Sequence, residues 1–183
     1  MSTIRVGNIG PLTGNTSVIA DPGGVGGMSL VSMSAVTASG TSVDFTGIPS
    51  WARRITVIFN GLSTTGSSSL LIRLGSSGGV ESTGYVSSAI YAGASQGGAT
   101  NATGFIAFYG NGASDTLNSV MTIFNSSGNS WVASYTGGFG IGQSYASAGA
   151  GNKTLSSVLD RVRITTINGT DTFDAGTVNV FYE

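Results

Sequence analysis

The chain has no cysteine and no histidine among its 183 residues. The first absence excludes disulfides, thiolate nucleophiles and thiolate metal sites. The second removes the commonest general base, the commonest zinc ligand and every Ser-His or Cys-His pair. Any hydrolytic chemistry would have to be done by carboxylates alone. Charge is also scarce, at 8% of residues, with 7 Lys and Arg against 8 Asp and Glu. No basic footprint for nucleic acid exists in such a balance. Long apolar runs are missing too: the uncharged intervals from Glu81 to Asp115 and from Asp115 to Lys153 are filled with Gly, Ser, Ala and Asn, so neither fits a membrane-spanning helix. The opening MSTIRVGNIGPLTGNTS lacks a basic region followed by an apolar run, which leads to the expectation of a chain made without export.

What is present is 40% hydrophobic residues and 30 glycines with a formal net charge of −1. That hydrophobicity with so little net charge is the composition of a folding chain rather than a disordered one. Its length suits one domain, burying roughly 70% of the surface its unfolded form exposes. The surface must be built mainly from hydroxyls, amides and backbone, and its weak self-repulsion suits a protein held in an assembly.

Residues 3–9, TIRVGNI, alternate apolar and other residues, and residues 11–27, PLTGNTSVIADPGGVGG, are too rich in Gly and Pro for regular structure. Residues 1–27 are therefore expected to form an extended attachment arm, with Ile4, Arg5, Val6, Ile9 and Leu12 as its gripping side chains, and residues 28–183 the domain proper. Strand signals recur at 28–36, 53–62, 69–74, 104–110, 118–125, 130–137, 160–167 and 176–183, each rich in β-branched and aromatic residues. In RRITVIFN, Ile55, Val57 and Phe59 alternate with Thr56, Ile58 and Asn60, which predicts one fully apolar face. Asn60-Gly61, Ser127-Gly128-Asn129 and Asn168-Gly169 read as reversals of direction. No window has helical apolar spacing with caps. The pattern predicts an all-β protein, a jelly-roll-like two-sheet β-sandwich with an extended N-terminal arm. An immunoglobulin-type sandwich is the alternative, without the Cys-Trp-Cys signature.

Motifs that resemble chemistry dissolve on inspection. Gly93-Ala94-Ser95-Gln96-Gly97 matches a nucleophile elbow, which needs a strand-to-helix turn and a histidine. Gly149 to Thr154, GAGNKT, has the wrong spacing for a phosphate loop and no helix to follow it. The charges Asp160, Arg161, Arg163, Asp171 and Asp174 crowd the end of the chain. Carboxylates so placed suit a Ca²⁺ site or glycoside hydrolysis, but beside Asn168-Gly169 they read first as turn-capping groups of a closing hairpin. Arg161 and Arg163 share one strand face, near Arg53 or Arg54 if those strands pair, with Asp160, Asp171 or Asp174 as cross-strand partners. No metal, cofactor or catalytic residue is expected. Of the aromatics, most belong in a core; Tyr91 and Tyr145, in the Gly-rich stretches 91–103 and 137–150, are the candidates for exposed loop contacts with a glycan.

The segment VTASGTSVDFTGIPSWARRITVIFNGLSTTGSSSLLIRLG, the later NSWVAS and the closing KTLSSVLDRVRITTINGTDTFDAGTVNVFYE resemble a module of tailed-bacteriophage virion proteins, found at the C-terminus of tail fibres and other displayed proteins. The resemblance spans residues 36–183 and is carried by IPSWARRITV and by the LDRVRITT, NGTDTFDAG and VNV blocks. STIRVGNIGPLTGNTS is similar to the short attachment segments of such proteins. The resemblance implies a non-enzymatic sandwich displayed on a virion, assembled in the host cytoplasm, as a homotrimer contacting the major capsid protein or tail proteins. The chain has no long shaft, so a capsid decoration (cement) protein is expected, with a short tail fibre binding host surface glycans as the alternative; neither nucleic acid nor membrane is an expected partner.

Overall fold

Alternation of apolar and polar residues governs the backbone almost throughout, and the structure, a computed structural model, resolves it into strands. It describes residues 30–109, 112–113, 115–139 and 145–183; the arm residues Ile4, Arg5, Val6, Ile9 and Leu12 lie outside these. Val31–Glu183 is a compact unit distinct from Met1–Leu30. Its strands are β1 (Val31–Ser32), β2 (Val36–Thr37), β3 (Ser42–Thr46), β4 (Arg54–Thr64), β5 (Leu70–Ser76), β6 (Gly79–Val80), β7 (Tyr85–Ala92), β8 (Gln96–Asn101), β9 (Phe105–Phe108), β10 (Leu117–Ser127), β11 (Ser130–Phe139), β12 (Ala146–Thr154), β13 (Arg161–Thr166) and β14 (Phe173–Tyr182).

They form two antiparallel sheets packed as a sandwich. The larger has nine strands in the order β1-β14-β4-β10-β11-β12-β7-β8, with β2 also on β14; the smaller has five, β3-β13-β5-β6, with β9 sharing the β5 edge. The first long strand, β4, pairs with the last, β14, and β5 pairs with β13. This nesting from the ends inward is the jelly-roll-like part of the topology; β10, β11 and β12 form a meander within it.

The core lies between the sheets. Ile55, Val57 and Phe59 of β4 and Met121 and Ile123 of β10 point inward against Leu70, Ile72 and Leu74 of β5 and Val162 and Ile164 of β13, all essentially inaccessible. Burying each such side chain contributes roughly 1.5–3 kcal/mol relative to exposure. Tyr85 and Tyr135 enter this core with their hydroxyls satisfied: Tyr85 accepts from Leu74 N at 2.7 Å, and Tyr135 shares a 2.7 Å hydrogen bond with Ser147. Burial pushes the Tyr135 hydroxyl up to about 12, the Ser147 bond pulling the other way, and raises Tyr85 further, opposed by its bond from the Leu74 backbone.

Three sequence expectations need correction. Asn60-Gly61 does not reverse the chain: Gly61 takes a φ of +60° inside β4, where the registers with β10 and β14 both shift. It is a bulge, and the strand continues through it. Asn168-Gly169 does turn the chain, with Gly169 at φ +69°, but β13 and β14 belong to different sheets, so the turn is a crossover between sheets and not a hairpin. The Gly-rich stretches at 91–103 and 137–150 are not simple loops, since β8 lies wholly in the first and β12 begins in the second. Gly128-Asn129, by contrast, closes the β10–β11 hairpin, where Ser127 pairs with Ser130.

Candidate interaction surface

Asp160, Arg161, Arg163 and Asp171 are each engaged by another side chain. Asp160 takes Arg161 at 2.7 Å, and that hydrogen bond raises the Arg161 pKa above its ordinary value. Arg163 forms a two-pronged pair with Asp44 of β3, at 2.7 and 2.6 Å; its partner is therefore neither Asp171 nor Asp174. The strand of these arginines does not pair with that of Arg54, because β13 pairs with β3 and β5 while β4 belongs to the other sheet. Arg163 instead stands opposite Arg73, whose Nε donates to Thr103 O at 2.8 Å.

Around the crossover, Asn168 Oδ1 accepts from Thr166 Oγ1, Thr170 N and Asp171 N. Asp171 accepts from Asn168 Nδ2 at 2.7 Å and from Ser68 N at 3.0 Å, tying the β4–β5 connection to the β13–β14 connection. Asp174 is exposed on β14. Asp171→Ala is expected to cost about 1.5–3 kcal/mol, the range for hydrogen bonds to a charged group, measured by urea unfolding; a loss below about 0.5 kcal/mol would show the crossover to be held without it. Among the described residues no three metal-ligating side chains come together.

Tyr91 and Tyr145 do meet, although they are 54 positions apart. Their rings lie edge to face at 5.8 Å; Tyr91 also packs on Tyr109 at 5.6 Å and Tyr145 on Phe139 at 5.8 Å. Phe139 continues inward to Phe108 at 4.8 Å. All three tyrosines are half-buried, so they form the outer end of an aromatic chain rooted in the core. Gly97 makes room for it: a Cβ there would stand 2.7 Å from Tyr91 Cε1. Ser95, of the elbow-like motif, lies in the exposed β7–β8 turn, and its hydroxyl reaches Tyr145 at 3.5 Å.

Sequence reasoning missed the outer face of the large sheet. Val120 and Phe124 of β10, Val132 of β11, and Val86 and Ile90 of β7 are five of the ten exposed large hydrophobic residues among those described. Between them stand Ser134, Thr136, Ala148, Ala150, Ser88 and Thr100, placed side by side by the β10-β11-β12-β7-β8 registers. These five strands contain one charged residue, Lys153, and it is buried on the inner face. Ala150, Gly151 and Asn152 of β12 line an open trough of about 760 Å³ that reaches Val132 on one side and Val86, Ser88 and Thr100 on the other. The signal was available in the alternation of VSSAI and SVMTIF, but it becomes a surface only when the Ala- and Gly-rich β12 is placed between them. Comparison of the chain with protein-family models, curated proteins and solved structures finds no match.

Proposed function

We propose that the chain is a non-enzymatic structural protein of a bacteriophage virion, a homotrimeric capsid decoration protein held to the shell by the arm of residues 1–27. The observation that carries this reading is the outer face without a single outward charge on β10, β11, β12, β7 or β8. From β10 to β8 the sheet crosses four gaps of about 4.8 Å, and strands of about eight residues at roughly 3.3 Å each give an uncharged face of about 500 Å². That is more than half of the roughly 800 Å² per partner of a stable protein interface, and the neighbouring β4 and β14, which carry Arg54 and Asp174, extend it. A threefold ring uses heterologous contacts, so this face would meet a different surface of the neighbouring copy. The virion assignment draws on the IPSWARRITV and LDRVRITT resemblance and on the near-zero net charge.

The second reading, a short tail fibre contacting host surface glycans, is favoured by the half-buried Tyr91, Tyr109 and Tyr145, whose rings offer stacking edges. Copy number separates the two: quantitative mass spectrometry of purified virions is expected to give a ratio to the major capsid protein of order one. A ratio of a small fraction favours the tail position, and absence from virions sinks both. On the isolated protein, Val120→Lys with Val132→Lys is expected to convert the trimer to monomer in light scattering, and a persisting trimer would exclude this face as the interface.

A further inference from the structure

The turn Pro49-Ser50-Trp51-Ala52 leads into β4 and is closed by Ala52 N donating to Pro49 O at 3.0 Å, the bond of a β-turn. Ile48 and Ala52 at its base are each 2% exposed, and Ile48 N donates to Asp160 O at 2.9 Å, so the turn is fixed where it leaves the core. Trp51, at its third position, is 51% exposed, although tryptophan is on average a highly buried residue. Its ring is braced by Tyr182 of β14 at 5.5 Å. A large aromatic side chain held in place before any partner arrives is the form that interface anchors take.

The same sheet carries a seat for such a group. The trough on its outer face has the exposed side chains of Val132 and Val86 as apolar walls and the hydroxyl residues Ser88 and Thr100 along one side, with no charged residue in its lining. An indole is an apolar body with one N–H donor, which needs an acceptor once it is buried, and hydroxyls beside apolar walls meet both needs. A charged ligand would find no counter-charge there. A sugar would find no ring to stack on, because the one aromatic residue of the lining, Tyr85, is buried in the core.

We infer that Trp51 of one copy seats in the trough of the next, so that the β14 end of one sheet meets the outer face of its neighbour. The inference rests on the homotrimer reading and names the surface that the outer face meets. In the sheet order β14 stands second and β7 seventh, five gaps of about 4.8 Å and so roughly 24 Å apart; Trp51, beside β14, cannot fill the trough of its own chain. A contact that joins two different patches of one chain is heterologous, and it closes into a ring when its rotation returns to the first copy. Three copies then bury three indoles and leave neither patch open.

The test uses the full chain. Light scattering is expected to give the mass of three chains for the parent and of one chain for Trp51→Ala and for Ala150→Arg, which puts bulk and charge into the trough. Both positions are exposed, so circular dichroism is expected to show parent-like strand content in each variant. A parent trimer that survives either change overturns the inference and leaves the homotrimer standing, whereas a parent with the mass of one chain overturns both. A second measurement leaves the anchor intact. The chain has no cysteine, so Ser50→Cys and Ser88→Cys, both at exposed positions, each place a single thiol beside one half of the contact. When the two variants are co-expressed, a short bis-maleimide is expected to join them into covalent dimers, and to join neither variant expressed alone. Ser88→Cys chains that join each other would show two outer faces in contact, and co-expressed chains that stay separate would show that turn and trough are not partners; either result overturns the inference.

Discussion

Glu81→Ala is expected to lower the melting temperature by about 10 °C. Lys153 is 5% exposed on the inner face of β12, its Nζ 2.5 Å from the Glu81 carboxylate and 5.3 Å from the centre of the Tyr85 ring. Glu81 is bound in turn by Ser156, through N at 2.8 Å and Oγ at 2.6 Å. Removing the carboxylate leaves the ammonium buried without its counter-charge, a loss of about 3–5 kcal/mol. A chain of this size shifts by about 2–4 °C per kcal/mol. The double variant Glu81→Ala, Lys153→Met is expected to regain most of the loss, since an apolar side chain of similar length fills the same space without a charge. Circular dichroism melts check both, and a double variant as unstable as the single one would show that Glu81 acts through Ser156 and not through Lys153.

The same pair sets a pH dependence. Burial raises the Glu81 pKa, but hydrogen bonds from Lys153 and Ser156 and the Lys153 charge outweigh it and bring it below the ordinary 4.5. A depressed carboxylate contributes stability that is present above its unfolded pKa and lost as pH falls through the folded value. The difference in melting temperature between the parent chain and Glu81→Ala is therefore expected to hold above pH 4.5 and to shrink below it.

The sequence made the β4, β10 and β13 strands legible because their inward residues are large and apolar, and alternation then marks the face directly. It hid β7, β8 and β12, where Gly, Ala and Ser occupy positions that the partner elements need empty. It also could not say that β13 and β14 part company at Asn168-Gly169: the turn chemistry is the same whether the next strand joins the same sheet or crosses to the other. The closing charges read as turn-capping groups beside Asn168-Gly169, but Asp44, the partner of Arg163, stands 119 positions away, and nothing local points to it. The outer face depends on the same long-range placement.

Gly149 shows what that emptiness is for, and Gly149→Val is expected to cost more than about 3 kcal/mol, at the upper end of overpacking and of single substitutions generally. A Cβ at Gly149 would run into the Tyr135 ring edge and stand 2.6 Å from Ser88 O and 3.1 Å from Ala89 Cβ. None of these can yield readily. Ser88 and Ala89 belong to β7, which pairs with β12 at this point. Tyr135 is buried and anchored through Ser147, which donates to Ile90 O at 2.8 Å. Gly98→Val is the matched control: on β8 the nearest atoms would lie 3.4 Å away, an ordinary contact, and the change is expected to stay within about 0.5 kcal/mol. In a Tyr135→Leu background Gly149→Val is expected to cost less than in the parent, because the two sites share one space. Urea unfolding of the four chains measures that coupling. An additive result would place the whole penalty on the β7 backbone, and a tolerated Gly149→Val would mean that β12 does not run this close to β7 and Tyr135.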